Sequence, residues 1–244
     1  MRQEKAEPIP AITTDQMREV DRLMIDFYGI QLIQMMENAG RNLADLSKKF
    51  IYRTTEQPFV VVLCGAGNNG GGGMVAARNL HNHGYRVAIQ MVADFEKLKD
   101  IPRLQWNILQ NMEIAEANMD DLSRADLIID AMLGYGIKGN PRFPIDQWII
   151  AVNASKMPVI SLDTPSGLDT TSGVPGKPCI LARATMTLAL PKIGLLKDSA
   201  KANVGTLFLA DISVPPSLYQ KMGLDVRNIF EMQSVLQING GEIL

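Results

Sequence analysis

The chain has 244 residues, of which 46% are hydrophobic, and this length is enough to bury a large core in one α/β domain. Its 24 lysines and arginines against 26 aspartates and glutamates give a net charge of −2 with no basic block, which argues against binding to nucleic acid by electrostatics. The longest apolar runs are strand-sized, so a transmembrane helix is not expected.

The amino terminus lacks the apolar core of a secretory signal, and Pro8 and Pro10 predict an extended arm instead. The two cysteines and the absence of such a signal favour a reduced, cytoplasmic protein. The two histidines, His81 and His83, lie together without a further Cys/His cluster, which disfavours a zinc site.

Two amphipathic helices are predicted before the first strand. Thr13 and Gln16 have the spacing of a capping box, and apolar residues recur at helical spacing over 17–27. Gly29 ends this helix, and a second helical pattern follows over 32–46. Both helices are expected to extend an α/β core.

From residue 58 onward, strand-like and helix-like segments alternate. Such alternation predicts a three-layer, Rossmann-like α/β fold, with a mostly parallel sheet and helices on both faces. No linker rich in Pro, Gly or Ser divides the chain, so residues 1–244 are interpreted as one domain, without a fused second enzyme. The predicted strands are 58–64, 86–92, 126–132, 157–162, 184–190 and 205–211, and the predicted helices are 73–83, 103–112, 145–154 and a short one within 222–244.

Polar or glycine-rich loops follow three of the predicted strands, at 65–73, 130–139 and 162–169. Ligands bind beyond the carboxyl ends of parallel strands, so these loops are expected to converge on one site. The first loop brings Asn68, Asn69 and backbone N–H groups to the start of a helix, an arrangement that suits a phosphate. A sharp reversal of the chain would explain the same glycines.

Two carboxylates stand at strand ends in the other loops. Asp130 is either an acceptor for N–H groups of its own loop or a cation ligand, with equal support for each. A carboxylate such as Asp163, held at a strand end beside a crevice, suits an acid/base role. The alternative is that Asp163 and Ser166 only satisfy turn N–H groups, a common arrangement. Together Asn69, Asp130 and Ser166 offer oxygen ligands that suit an alkali or alkaline-earth ion.

Two other classes of nucleotide enzyme are disfavoured. A dinucleotide fingerprint needs G-x-G-x-x-G followed by an acidic residue at the end of the next strand, and the strand predicted at 86–92 ends without one, so a hydride-transferring Rossmann enzyme has weak support. No G-x-x-x-x-G-K-[ST] pattern occurs, which argues against a small-molecule kinase.

Nearly the whole chain resembles the YjeF N-terminal family, whose enzymatic members are NAD(P)H-hydrate epimerases. Order, spacing and content of six segments carry the resemblance. They are YGIQLIQMMENAGRNLA (28–44), CGAGNNGGGGMVAARNLHNHGY (64–85), DAMLGYGIKGNPR (130–142), SLDTPSGLD (161–169), ALPKIGLL (189–196) and GTLFLADISVP (205–215).

The resemblance implies an isomerase that interconverts the R and S forms of NADH or NADPH hydrated at C6, so that a separate dehydratase can repair the S form. It also implies a homodimer, Asp163 as the catalytic acid/base, and a potassium ion held by Asn69, Asp130 and Ser166. The substrate contacts that it implies are Asn68, Asn69, Gly70, Gly71, Gly72, Gly134, Tyr135, Gly136, Ile137, Lys138, Gly139, Asn140 and Asp163.

One position departs from the family pattern. The first loop of the family usually reads N-N-G-G-D-G, whereas this chain has Gly72 in place of the Asp. A substrate-binding or acid/base role for that Asp would put catalysis in doubt, while a helix-capping role would cost about 0.5–2 kcal/mol. Because the other site residues remain, we expect activity. The alternative is a non-catalytic member that binds a nucleotide or ribosyl ligand, or serves as a dimerising scaffold.

Overall fold

The computed structural model describes residues 9–51 and 57–244, so Pro8 and the start of the predicted arm lie outside the described residues. The helices are α1 (Thr14–Asp26), α2 (Leu32–Lys48), α3 (Asn68–Asn82), α4 (Asp100–Asn111), α5 (Ile145–Ser155), α6 (Lys201–Val204) and α7 (Pro216–Lys221). The strands are β1 (Phe59–Cys64), β2 (Arg86–Met91), β3 (Ala115–Glu116), β4 (Leu127–Ala131), β5 (Val159–Leu162), β6 (Ala184–Leu188), β7 (Thr206–Ala210), β8 (Val235–Asn239) and β9 (Glu242–Ile243).

The strands of the described residues form one nine-stranded sheet in the order β3-β2-β1-β4-β5-β6-β7-β8-β9. Neighbours from β3 to β7 are parallel, and β8 and β9 pair antiparallel. All six predicted strands are present with ends within two residues of the prediction, which confirms the mostly parallel α/β fold. Strand order reverses between β1 and β4, and at such a point an open α/β sheet forms a ligand crevice.

Helices cover both faces of the sheet, as predicted. Val60 and Val62 of β1 share a buried cluster with residues of α2 and α3. Val61 and Leu63 belong to a second cluster, with residues of α5. Because successive side chains of a strand point to opposite faces, a strand buried on both faces is a continuous apolar run.

The capping box of α1 is confirmed. Gln16 N donates to Thr13 Oγ1 at 3.1 Å, and Thr13 N donates to Gln16 Oε1 at 2.8 Å. Along the described residues, every helix is too short or too polar to cross a membrane.

The predicted start of α3 at residue 73 is wrong, because the helix begins at Asn68. Most of the glycine-rich segment is therefore helical and not a loop. Close packing explains the glycines: a Cβ atom on Gly73 would lie 2.5 Å from the Cβ of Ala131, and one on Gly71 would lie 2.5 Å from the Sδ of Met36.

The helix predicted within 222–244 is also wrong, because this segment contains β8 and β9. In β8, Leu236 and Ile238 are buried while Gln237 between them is exposed, which is the period of a strand. Antiparallel pairing with β7 overrides the helix-like spacing of the apolar residues.

Candidate functional site

A cleft of about 580 Å³ lies at the carboxyl ends of β1, β4, β5 and β6. The amino end of α3, the segment after β4, and residues of α1 and α2 form its walls. Residues from all three predicted loops line it, which confirms that these loops converge on one edge of the sheet. The volume is within the usual range for small-molecule sites.

Asp163 lines this cleft directly after β5 and is 3% exposed. Its φ of 64° places the backbone in the left-handed region, which is uncommon for a residue with a side chain. Oδ1 accepts a hydrogen bond from Lys192 Nζ at 2.5 Å, and Oδ2 accepts one from Tyr135 N at 3.1 Å. The carboxylate is thus held at both oxygens while it borders the cleft.

Lys192 is a site residue that the sequence argument missed. It is fully buried, and its ammonium donates to Asp163, to Thr187 Oγ1 at 3.1 Å and to Leu188 O at 3.0 Å. Lysine is seldom fully buried unless it is paired. Its place in the apolar segment ALPKIGLL was the available signal, but the partner carboxylate stands in another segment.

Asp130 ends up fully buried at the end of β4. Oδ2 accepts from Ser161 Oγ and Ser166 N, each at 2.8 Å, and Oδ1 accepts from Ser166 Oγ at 2.5 Å and Met132 N at 3.3 Å. Burial raises the pKa of Asp130 above its ordinary value, and these hydrogen bonds oppose that shift. Among the described residues, every group that bonds to Asp130 is uncharged.

Asn69 reaches the same region from the first turn of α3. Its Nδ2 donates to the carbonyl oxygens of Leu133 at 3.0 Å and Leu162 at 3.2 Å. Leu133 N donates in turn to Ser166 Oγ at 2.9 Å. Asn69, Ser166 and Asp130 are therefore linked through Leu133, although they come from three different segments.

Some of the residues at the amino end of α3 line the cleft. Asn68, Asn69 and Gly72 line the cleft, whereas Gly70 and Gly71 are buried and are not among the lining residues. The N-cap of α3 is Gly67, so position 72 lies beyond the first turn and a side chain there could not cap the helix. The capping explanation for the family's Asp is therefore wrong for this helix.

Only the first half of the second loop lines the cleft. Residues 134–137 line the cleft, and Lys138 lines a neighbouring cavity of about 480 Å³ that Arg18 of α1 also borders. Gly139 and Asn140 line neither of these two cavities. Lys138 is thus not among the residues that line the cleft with Asp163.

Tyr135 joins this loop to α1. Its hydroxyl donates to Asp21 Oδ2 at 2.5 Å, and its carbonyl accepts from Thr170 Oγ1 at 3.1 Å. Burial raises the pKa of the Asp21 carboxyl, and the hydrogen bond from Tyr135 opposes the shift. Burial and the neighbouring Asp21 raise the pKa of the Tyr135 hydroxyl. Asp21 lies in an ordinary amphipathic pattern, so no sequence signal identified it.

Comparison with known proteins decides the family. Residues 32–194 match the family model described as YjeF-related protein N-terminus, which is more than half of the chain. The chain belongs to the YjeF N-terminal family. The resemblance in the sequence is therefore confirmed, while α1, with its cleft residues Arg18 and Asp21, lies outside the matched region.

Two proteins with sequences similar to this chain are named NAD(P)H-hydrate epimerase. One, from Dehalogenimonas lykanthroporepellens, is 38% identical over 90% of this chain and 89% of its own length. The other, from Lentilactobacillus buchneri, is 33% identical over 84% of this chain and 94% of its own length.

Longer relatives and a solved structure add context. A Moorella thermoacetica protein named bifunctional NAD(P)H-hydrate repair enzyme Nnr is 33% identical, and the match covers 85% of this chain but 41% of that protein. The crystal structure of the yeast protein ynu0 has a TM-score of 0.80 at 22% identity, covering 94% of this chain and all of that one. This likeness supports the fold.

Proposed function

We propose that the chain is an NAD(P)H-hydrate epimerase, an isomerase that interconverts the R and S forms of NADH or NADPH hydrated at C6. The observation that carries the proposal is the buried carboxylate of Asp163 at the wall of a nucleotide-sized cleft. The names of relatives that match nearly the full length of the chain supply the substrate.

Asp163 is proposed as the acid/base. The C6 hydroxyl of the hydrate is attached to a carbon bonded to the ring nitrogen. Either the nitrogen lone pair helps expel the hydroxyl as water, which then returns to the opposite face, or the C6–N bond breaks and the ring recloses from an aldehyde. Each route needs a group that gives and takes one proton at the C6 oxygen, a contribution typically worth about 10²–10⁴-fold in rate.

The other cleft residues are proposed to bind the nucleotide. Backbone N–H groups at the amino end of α3 and in the segment 134–137 suit phosphate oxygens. Met35 and Met36 of α2 form an apolar wall, which helps to exclude water from the reacting ring.

A potassium ion is proposed to be held by Asn69, Asp130 and Ser166. The donor chemistry fits: these residues present oxygen atoms, and the carbonyls of Leu133 and Leu162 converge on the Asn69 amide. Asp130 is a buried carboxylate whose bonded groups are uncharged, and one monovalent cation would compensate it. When bound, potassium would supply this positive charge to the site.

The proposed reaction is cofactor repair in the cytoplasm, with the S form passed to a dehydratase. Purified protein, incubated with R-hydrate, potassium and an S-specific dehydratase, is expected to clear the R form faster than spontaneous epimerisation does in a mixture with dehydratase alone. Equal rates in the two mixtures would contradict the proposal. Equal rates together with tight nucleotide binding would favour the non-catalytic alternative.

A further inference from the structure

The two oxygens of Asp163 have different surroundings. Oδ1 accepts from Lys192 Nζ at 2.5 Å and has Thr187 Oγ1 at 3.5 Å. Oδ2 accepts from Tyr135 N at 3.1 Å, and the structure shows no second donor to it among the described residues. A carboxylate oxygen has two lone-pair positions, so Oδ2 keeps one for another partner.

Lys192 cannot itself donate a hydrogen bond to the substrate in this arrangement. An ammonium has three protons, and those of Lys192 are directed to Asp163 Oδ1, Thr187 Oγ1 and Leu188 O. The residue also has no exposed surface, so it does not reach the cleft.

The backbone around Lys192 is fixed from both sides. Ile12, in the segment before α1, donates its N–H to Pro191 O at 2.8 Å and accepts from Ile193 N at 3.0 Å. Ile12 is fully buried. Bonds on either side of Lys192 therefore hold the base of its side chain, while its burial and three hydrogen bonds keep the ammonium at Oδ1.

Oδ2 faces the part of the cleft where side-chain bulk is missing. A Cβ atom on Gly134 would lie 3.5 Å from Oδ2, and both Gly134 and Asp163 line the cleft. The glycine therefore leaves the approach to Oδ2 open.

We propose that Oδ2 of Asp163 is the atom that exchanges the proton with the C6 oxygen, and that Lys192 is a positioning residue that holds Oδ1. The inference rests on the proposed epimerase function. In each direction one proton moves between Oδ2 and the C6 oxygen, and Lys192 keeps all of its protons. The ion pair determines which carboxylate oxygen faces the substrate.

The test compares steady-state kinetics of Lys192→Met and Thr187→Val with those of Lys197→Met, which removes an exposed lysine from the same segment. For Lys192→Met we expect kcat to fall by about 10²-fold, part of the acid/base contribution, with KM within about threefold. Thr187→Val keeps the ion pair but removes one ammonium partner, and its kcat is expected to fall by a smaller factor. Lys197→Met is expected to match the wild type.

A Lys192→Met protein that folds and keeps its kcat would overturn the proposal, and so would a rise in KM at unchanged kcat. If Lys192→Met does not fold, an unchanged kcat in Thr187→Val overturns it. A crystal structure of either variant gives a readout without activity: the Asp163 carboxylate is expected to rotate or to adopt two orientations. An unchanged, single orientation in both variants would also overturn the proposal. Lack of activity in the wild type would instead overturn the epimerase function.

Discussion

The ends of β4 and β5 carry two buried carboxylates with opposite surroundings. Asp163 contacts a buried ammonium and borders the cleft, whereas the groups that bond to Asp130 are serine hydroxyls and backbone N–H groups. Burial of a carboxylate costs free energy unless a charge or hydrogen bonds compensate it, and the two residues differ in which of these they have. Asp163 has a cation from the chain itself, whereas no cation among the described residues contacts Asp130.

This difference parallels the two roles proposed for the site, proton exchange at Asp163 and ion binding at Asp130. In the proposed chemistry Asp163 exchanges a proton at Oδ2 while Oδ1 stays hydrogen-bonded to Lys192. A carboxylate without such a cation is suited to hold an ion.

The largest effect is expected for Asp163→Asn. The amide cannot accept and return the proton, so kcat for epimerisation should fall by about 10²–10⁴-fold with little change in KM. Steady-state kinetics with R-hydrate measure it. Asp169→Asn is the matched control, because Asp169 lies in the same loop and accepts N–H groups of its own turn. Similar kcat values for the two variants would remove Asp163 from the chemistry.

The second prediction concerns Asp130 and potassium. Potassium at 100 times its dissociation constant should stabilise the folded protein by about 2.7 kcal/mol relative to lithium at the same ionic strength. Asp130→Asn should abolish this difference, because the charge that the ion compensates is gone. Denaturant unfolding in the two salts measures it. A potassium effect that survives in Asp130→Asn would contradict the assignment.

A smaller effect is expected for Tyr135→Phe. The change removes the donor to the partly buried Asp21 carboxyl and should lower the free energy of unfolding by about 1 kcal/mol. Tyr28→Phe is the control, because its hydroxyl bonds to Ser217 at an exposed position. Equal stability losses in the two variants would show that the contact between α1 and the second loop contributes nothing specific.

The smallest effect is expected at Gly72. A Cβ atom there would lie 2.7 Å from Leu162 Cδ2, the end of a flexible side chain, while replacing glycine within a helix gains up to about 1 kcal/mol. These two terms oppose each other, so the free energy of unfolding of Gly72→Ala should lie within about 1 kcal/mol of the wild-type value. Gly72→Asp should leave kcat/KM unchanged or raise it. A large loss of kcat/KM in Gly72→Asp but not in Gly72→Ala would show that this cleft does not tolerate the family's carboxylate.

The sequence predicts the six central strands because most of their residues are buried, which makes runs such as FVVVLC in β1 almost continuously apolar. The sequence does not predict where α3 begins, because glycine has a poor helix propensity and close packing against Met36 and Ala131 decides the structure there. The sequence also does not predict β8, because its strand structure depends on pairing with β7, which is separated from it along the chain.

For the site, residues at strand ends were predictable because the carboxyl ends of parallel strands meet at one edge. Asn69, Asp130, Asp163 and Ser166 all follow this rule. Lys192 and Asp21 do not, because each acts through a tertiary contact with a residue far along the chain. Their roles become visible once the fold brings the partners together.

The central claim is tested most directly by following both hydrates without any dehydratase. Pure R-hydrate and pure S-hydrate are incubated separately with the protein and potassium, and the two forms are separated by chromatography over time. We predict that both mixtures reach the same ratio that spontaneous epimerisation gives, and reach it faster than samples without protein. Identical time courses with and without protein would contradict the assignment of this cleft as an epimerase site.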